Sequence, residues 1–418
     1  MMMETLTAFD SQRILLGVTG SIAAYKAADL ASKLTQAGAR VDVILTDAAQ
    51  KFVTPLTFQA LTGRPVYTDL WRADATGGLP THIAHVGLVE DAAALLIAPA
   101  TADTIARLAG GFASDLLAIT ALAARCPLIL APAMDGGMYE HAAVQGNLAV
   151  LRARGAHIIE PESGRFASGL SGRGRLPDTA TLISALRYVL GRKTGMLVGR
   201  RVVITAGGTR EPLDPVRYLT NRSSGKQGHA LADTAADMGA DVTLITAARG
   251  LPTPYGASVI AVESAKQMHD AVLAHIDGAD ALIMAAAVAD FRPASVADQK
   301  IKKLEDAGAP MLVLERNPDI LGAVKARRAD TQMPRVVVGF AAESQRVRDY
   351  ARDKLARKGL DLIVANDITA SDAGFDVDTN RVAIYDADGG EQFLDLTSKA
   401  RVSEAIWRRV AAVLAARS

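Results

Sequence analysis

The chain is predicted to be an α/β protein of two Rossmann-like three-layer domains, each built on a mainly parallel sheet. Three observations predict this. A strand, a Gly-rich turn and a helix follow one another at residues 13–36, and the succession recurs from residue 202. The runs AALLIA (93–98) and PLILA (127–131) are almost continuously apolar, as strands covered on both faces are. Strands alternate with helical patterns along the chain, which calls for right-handed crossovers between parallel neighbours. The length of 418 residues suits two or three domains, and 50% hydrophobic residues allow large cores.

Composition excludes several classes. A net charge of +1 argues against general nucleic-acid binding, which needs a basic surplus. A single cysteine, Cys126, rules out a disulfide framework and a CxxC metal site. The opening MMMETLTAFDSQR lacks an apolar signal core, and no apolar run reaches the roughly 20 residues that span a bilayer. The expectation is a soluble cytoplasmic protein with no membrane partner.

In chain order, RILLG (13–17) is a strand, VTGSIAAYK turns into a helix to about residue 36, and ARVDVILT (39–46) is the second strand. Gly17, Gly20 and Ser21 fall where the first strand ends, at the edge where open α/β sheets bind ligands. One phosphate can sit there, with hydroxyls from Thr19 and Ser21. The strands at 93–98 and 127–131 end in APATADT and APAMDGGM, loops of small residues at the same edge. Packing alone explains them as readily as a flat ligand does. A short strand is expected at 157–160, and a helix over 178–190 closes the first domain. The basic stretch GRKTGMLVGR (191–200) reads as the linker, which leaves 1–190 and 201–418 as the domains.

The second domain opens on VVITAGGTREPLDPVRYLTNRSSGKQG (202–228). Its strand runs through Gly-rich turns into a helix, and it carries Arg210, Arg217, Arg222 and Lys226. Free N–H groups and a helix dipole favour an anion, so a phosphorylated ligand is expected, although an ordinary solvated loop stays open. GxGxxG and GxxxxGK[ST] are both absent. Strands are expected at 241–247, 281–286, 339–343 and 361–367, and helices at 263–276 and 348–361. Asn317 is the expected N-cap of the helix after NPDI. Lys354 and Lys358 lie four apart on one helical face. Asp290, Lys300, Lys302 and Lys303 share one loop, read as either a solvated face or a clamp over a triphosphate. A hairpin with its turn at DGG follows (381–396). Ser398 caps a last helix whose apolar stripe is Val402, Ala405, Ile406, Val410 and Val413.

GVTGSIAAYK, HVGL, APATADTIARLAGG, ASDLL, APAMDGGMY and SGLSGRGRL stand in the order and spacing of flavin-dependent cysteine decarboxylases. Over nearly all of 13–190 the chain resembles that family. The resemblance implies a flavodoxin-like fold that holds FMN through Gly20, Ser21, Thr46, Ala100, Thr101 and Thr104. It also implies a catalytic histidine at His85, with His82 as the competing position. Oxidation of the thiol gives a thioaldehyde, which serves as electron sink for loss of CO2. Two positions depart from the family. Asp135 stands where an asparagine contacts the substrate carboxylate, and Ser168 stands where a cysteine protonates the intermediate. An ionised Asp only accepts hydrogen bonds, and a hydroxyl is a far weaker acid than a thiol. Decarboxylation is therefore expected to be impaired, altered, or stopped at the enethiol.

TAGGTREPLDPVRYLTNRSSGKQG, AAVADFR, KIKK, NPDI, GFAAES, K-x-x-x-K and ANDI are similar to landmarks of phosphopantothenate–cysteine ligases, over about 198–410. The resemblance implies CTP as substrate, Mg2+, and an acyl-cytidylate that cysteine opens. Asn221 matches the residue that binds that intermediate, Arg217 an arginine four positions earlier, and Lys300 the lysine needed to form it. Ala286, Asp290, Asn317, Pro318, Asp319, Ile320, Phe340, Lys354 and Lys358 match nucleotide-site positions. Metal ligands are not assigned. Together the two resemblances imply a bifunctional enzyme of coenzyme A biosynthesis, assembled as a homo-oligomer, a dodecamer by family habit. Two other readings stay open: a flavoprotein that oxidises the C-terminal cysteines of peptides, and a regulatory protein on an inactive flavin fold.

Overall fold

The computed structural model describes residues 9–70, 84–302, 311–343, 347–367 and 377–417. His82, Lys303, Ser344 and Ile368, singled out from the sequence, lie outside the described residues. The chain divides between Gly191 and Arg192 into two compact units.

The first unit starts with β1 (Arg13–Val18), α1 (Ala24–Gln36) and β2 (Arg40–Leu45), the expected βαβ unit, with β1 and β2 parallel. It continues with α2 (Pro55–Thr62), β3 (Val66–Tyr67), α3 (Ala84–Val89), β4 (Ala92–Ala100), α4 (Ala102–Gly110) and α5 (Leu116–Ala123). Then come β5 (Leu128–Pro132), α6 (Gly136–Glu140), α7 (Ala142–Ala153) and β6 (His157–Ile158). The sheet order is β3-β2-β1-β4-β5-β6, parallel throughout. With the two-residue β3 set aside, the remaining five strands have the 2-1-3-4-5 order of flavodoxin-like sheets. Leu15, Ile97, Leu117, Leu130 and Leu148 are fully or almost fully buried in its core. One charged side chain is buried with them. Asp42 in β2 accepts from Arg13 Nε at 2.7 Å and Arg64 Nε at 2.6 Å, so its charge is matched on both oxygens.

Two features differ from the sequence expectation. An antiparallel hairpin, β7 (Glu162–Arg165) with β8 (Ser171–Arg175), follows β6. Its polar, Gly-rich strands carry no apolar alternation to announce it. The closing helix, α8 (Thr179–Thr194), runs four residues past its expected end, into the stretch read as linker. A lone glycine at 191 costs a helix only about 1 kcal/mol. The helix stops one residue before Gly195 instead, the position where glycine commonly ends helices.

The second unit contains β9 (Arg201–Ala206), β10 (Arg210–Pro212), β11 (Tyr218–Thr220), α9 (Lys226–Asp237), β12 (Asp241–Thr246) and β13 (Ser258–Ala261). Next are α10 (Ala265–His275), β14 (Ala281–Met284), β15 (Phe291–Pro293), β16 (Leu314–Arg316), α11 (Ile320–Thr331) and β17 (Val336–Glu343). It ends with α12 (Val347–Lys358), β18 (Leu362–Asp367), β19 (Thr379–Asp386), β20 (Glu391–Ser398) and α13 (Lys399–Ala416). The main sheet reads β13-β12-β9-β14-β17-β18-β19-β20. It is parallel from β13 to β18, and the β19–β20 hairpin adds antiparallel strands at one edge. The DGG turn is as expected: Asp386 Oδ1 accepts the N–H groups of Asp388 and Gly390. Ser398 caps α13 by accepting from Arg401 N–H at 3.3 Å. Val402, Ile406 and Val410 of its stripe are fully buried, with Trp407 beside them. Trp407 Nε1 donates to Leu231 O at 2.8 Å, which fixes α13 on α9.

Asn317 is not the N-cap of α11. Asp319 is, accepting from Gly322 N–H at 3.0 Å. The Asn317 amide turns the other way. Its Nδ2 donates to Ala289 O at 2.8 Å and its Oδ1 accepts from Arg292.

Candidate functional site

The strand order of the second unit reverses between β9 and β14, and an open sheet leaves a crevice at the carboxyl ends of such strands. A cleft of about 820 Å³ opens there. One wall is the turn from β9 into α9. Gly225, the N-cap of α9, has φ +79°, and no side chain caps the helix. The positive end of the α9 dipole is therefore not covered by a capping side chain, which favours an anion there. The opposite wall is the loop after β14 and the start of α11. Asn221 joins the two walls: its Nδ2 donates to Val288 O at 3.2 Å and Ala287 O at 3.4 Å.

Asn221, Ala286, Asp290, Asn317, Pro318, Asp319, Ile320, Phe340, Lys354 and Lys358 all line this cleft. Among the described residues its six basic side chains, Arg222, Lys226, Arg316, Lys354, Lys358 and Lys399, outnumber two carboxylates, Asp290 and Asp319. That balance favours a polyanion. Lys354 Nζ donates to Phe340 O at 2.8 Å, and Lys358 pairs with Asp319. Burial alone would raise the Asp319 carboxyl, but the Lys358 hydrogen bond, the Gly322 N–H and the charges of Lys358 and Arg357 outweigh it, and the carboxyl titrates below its ordinary range.

Lys300 and Arg217 are not part of the lining; a tie outside it joins Arg217 to the residue after Lys300. Asp214 accepts from Arg217 Nε at 2.9 Å and from the N–H of Ile301 at 3.2 Å, and Arg217 Nη2 donates to Ile301 O at 3.0 Å. The residue after Lys300 is thus pinned to the loop that bears Arg217. Lys300 itself is exposed. Asp214 escaped the sequence reading because its contact with Ile301 spans 87 residues. Asn366, Asn380 and Lys399 were also missed, although each lines the cleft. Asn366 Oδ1 is buried and has no partner among the described residues. The sign available in the sequence was a polar pair, Asn366-Asp367, closing an apolar strand.

In the first unit the turn after β1, the end of β4 and the start of α4 are tied together. The Thr19 hydroxyl donates to Pro99 O at 2.7 Å and accepts from Thr101 N–H at 3.1 Å. Ser21 Oγ accepts from Ala23 N–H, Thr46 Oγ1 from Ala49 N–H, and Thr101 Oγ1 from Thr104 N–H. The Ser21 and Thr46 hydroxyls accept locally, so their own protons remain to donate to an incoming oxygen, whereas the Thr101 hydroxyl also meets Thr104 Oγ1 at 3.1 Å. Ala100 is buried at the end of β4, and Gly20 completes the turn. A Cβ on Gly20 would lie 2.4 Å from Ala48 Cβ, so only glycine fits. His85 sits in the first turn of α3, with its Nδ1 buried and without a hydrogen-bond partner among the described residues. Asp135 N-caps α6 through Gly137 N–H, and its other oxygen accepts from Ser168 Oγ at 2.9 Å.

Known proteins were compared with this chain. The profile of the flavoprotein family matches residues 2–191, and that of the DNA/pantothenate metabolism flavoprotein C-terminal domain matches 197–414. The coenzyme A biosynthesis bifunctional protein CoaBC of Bacillus subtilis (strain 168) is 46% identical, over 97% of this chain and 98% of its own. The chain belongs to the coenzyme A biosynthesis bifunctional family. The namesake protein of Mycobacterium bovis (strain ATCC BAA-935 / AF2122/97) is also 46% identical, over 97% of each chain. A solved C-terminal domain of a CoaBC protein is 38% identical over 53% of this chain and 98% of its own, with a TM-score of 0.45. As a member of this family the protein is a bifunctional enzyme, a phosphopantothenoylcysteine decarboxylase and phosphopantothenate–cysteine ligase.

Proposed function

We propose that the unit from residue 201 is the ligase, that the unit up to residue 190 is the FMN-dependent decarboxylase, and that 191–200 joins them. In the ligase, the carboxylate of 4′-phosphopantothenate attacks the α-phosphate of CTP. Pyrophosphate leaves, and the cysteine amine then displaces CMP from the acyl-cytidylate to form the amide. Activation is needed because a carboxylate and an amine do not condense in water. Lys354 and Lys358 offset charge on the nucleotide phosphates, beside Asn317–Ile320 and Phe340, and the uncapped start of α9 adds N–H donors. Lys300 acts as the acyl-cytidylate forms; Asn221 and Arg217 hold it. The observation that carries this reading is the cation-rich cleft at the β9/β14 switch point.

Mg2+ is read as arriving on the triphosphate. Among the described residues no group of three or more His, Cys, Asp or Glu could hold a metal. A magnesium ion bound mainly by phosphates and water, with one carboxylate such as Asp290, needs no such group.

The hydroxyls at the β1, β2 and β4 ends suit FMN, and the orphaned His85 Nδ1 suits a substrate proton. FMN, when bound, supplies the oxidation and the return of electrons on which decarboxylation depends. Gly20, Ser21, Thr46, Ala100, Thr101 and Thr104 would hold it. His85 takes the proton released as the substrate is oxidised.

The test is an assay with phosphopantothenate, cysteine and CTP in which pyrophosphate and CO2 are followed separately, alongside the flavin absorbance of the purified protein. Pyrophosphate release that needs CTP and phosphopantothenate, and cysteine for turnover beyond the first, supports the ligase reading; ATP in place of CTP should be poorer. Release that ignores cysteine and phosphopantothenate would overturn it.

A further inference from the structure

Decarboxylation replaces a carboxylate on carbon with hydrogen, so a proton must reach the carbon that loses CO2. Its donor has to stand beside the place the carboxylate occupied. Of the carboxylates Asp135 and Glu160, Glu160 is already taken up by Tyr139, Arg152 and Arg173. Asp135 is different: Oδ1 accepts from Gly137 N–H, and Oδ2 accepts from a hydroxyl, Ser168 Oγ, at 2.9 Å.

The contact is built rather than incidental. The β7–β8 hairpin is fastened to the loop after β5 at several points. Met134 N–H donates to Gly174 O at 2.9 Å. Gly174 has φ +155°, and a Cβ there would lie 2.3 Å from Met134 O. The Phe166 ring fills the space beside Gly136 and Gly172, standing 3.2 Å from where either would carry a Cβ. Arg173 pairs with Glu160 and lies over the Tyr139 ring, 5.6 Å from its centre. This frame holds the hairpin tip, and with it the Ser168 hydroxyl, on Asp135.

A serine hydroxyl alone is a poor acid. One whose oxygen is reprotonated by an adjoining carboxylic acid is a serviceable conduit. A proton carried by Asp135 beside a substrate carboxylate would avoid a second negative charge there. We propose that Asp135 and Ser168 form a two-residue proton relay that completes decarboxylation. After CO2 departs, the carbon of the enethiolate takes the Ser168 Oγ proton. The C=C pair becomes the new C–H bond, and a sulfur pair forms C=S. In the same step Oγ takes the Asp135 proton, and Asp135 returns to carboxylate. Ser168 touches the substrate; Asp135 is a positioning residue that acts through it. The relay rests on the assignment of decarboxylation to this half of the chain.

The test uses the full-length, FMN-loaded protein given phosphopantothenoylcysteine, with CO2, enethiol and thiol products measured, and amide exchange over residues 166–170 measured without substrate. The parent is expected to give mainly thiol. Asp135→Asn keeps an oxygen for Ser168 to donate to, so hairpin exchange stays parental, but the enethiol-to-thiol ratio rises at least about tenfold. Adding Ser168→Cys to Asp135→Asn brings the ratio back, because a thiol is itself an adequate acid. A parental ratio in Asp135→Asn would overturn the relay. So would enethiol alone from the parent, or a loosened hairpin with no return in the double variant. Absence of CO2 from the parent would instead remove the decarboxylase assignment on which the relay stands.

Discussion

Asp214 accepts hydrogen bonds from the N–H groups of Val216, Arg217 and Ile301 and from the Arg217 guanidinium. The Arg217 contact contributes most, ahead of the opposing effect of burial, and holds the carboxyl well below the usual carboxylate range. A depressed folded pKa gives stability that is present above the unfolded value near 4 and is lost as pH falls through the folded one. The Asp214 tie should therefore be intact at neutral pH and weaken only well below pH 4. Asp319, also lowered, should add to the same acid limb. Asp214→Asn should flatten that limb in an acid titration followed by circular dichroism. It should also slow pyrophosphate release by about tenfold to a hundredfold, since a small misplacement of the Lys300 loop is enough for such a loss. An Asp214→Asn variant with parental kcat would show that the tie does not position Lys300. None of this was legible in the sequence, because Asp214 and Ile301 meet only through the fold. The Ser168–Asp135 contact was hidden in the same way: each residue was noticeable on its own, and their pairing across 33 positions was not.

The elements that carry long apolar runs and Gly-rich turns could be read ahead of the structure. β1, β4, β5, β9, β12 and β14 fall close to their expected places, and so does the α13 stripe. β3, β10 and β13, of two to four residues, are too short for a periodic pattern, and the small paired ribbons are set by tertiary contact. The α11 cap was misassigned because NPDI offers two capping residues, and a requirement elsewhere, the Ala289 carbonyl, claims Asn317. At the start of α9 the sequence was informative: the glycines at 225 and 228 are both needed. A Cβ on Gly225 would lie 2.5 Å from Ala248 Cβ, and one on Gly228 2.4 Å from Ala206 Cβ. Gly225→Ala is expected to cost about 1–2 kcal/mol from its left-handed backbone alone. It should also raise the KM for CTP, as the helix start is pushed from the cleft. Ser398→Ala should cost about 1 kcal/mol by loss of a cap and leave KM unchanged, which thermal unfolding and kinetics would separate.

At the scale of the whole chain, the two units answer to two family profiles that together span residues 2–191 and 197–414. Among the described residues no helix is long and apolar enough to cross a membrane. A homo-oligomer, a dodecamer on the family expectation, is proposed for solution; light scattering on the full-length protein at micromolar concentration should return about twelve chain masses. The central claim is that the β9/β14 cleft and its neighbouring Lys300 loop make a carboxylic acid reactive toward an amine. The measurement that bears on it most directly is amide formation from phosphopantothenate, cysteine and CTP by the parent and by Lys300→Gln and Asn221→Asp. The account predicts that Lys300→Gln loses pyrophosphate release together with amide. It predicts that Asn221→Asp stalls after the acyl-cytidylate, with folding of both variants parental by circular dichroism. Amide made at the parental rate by both variants would contradict it.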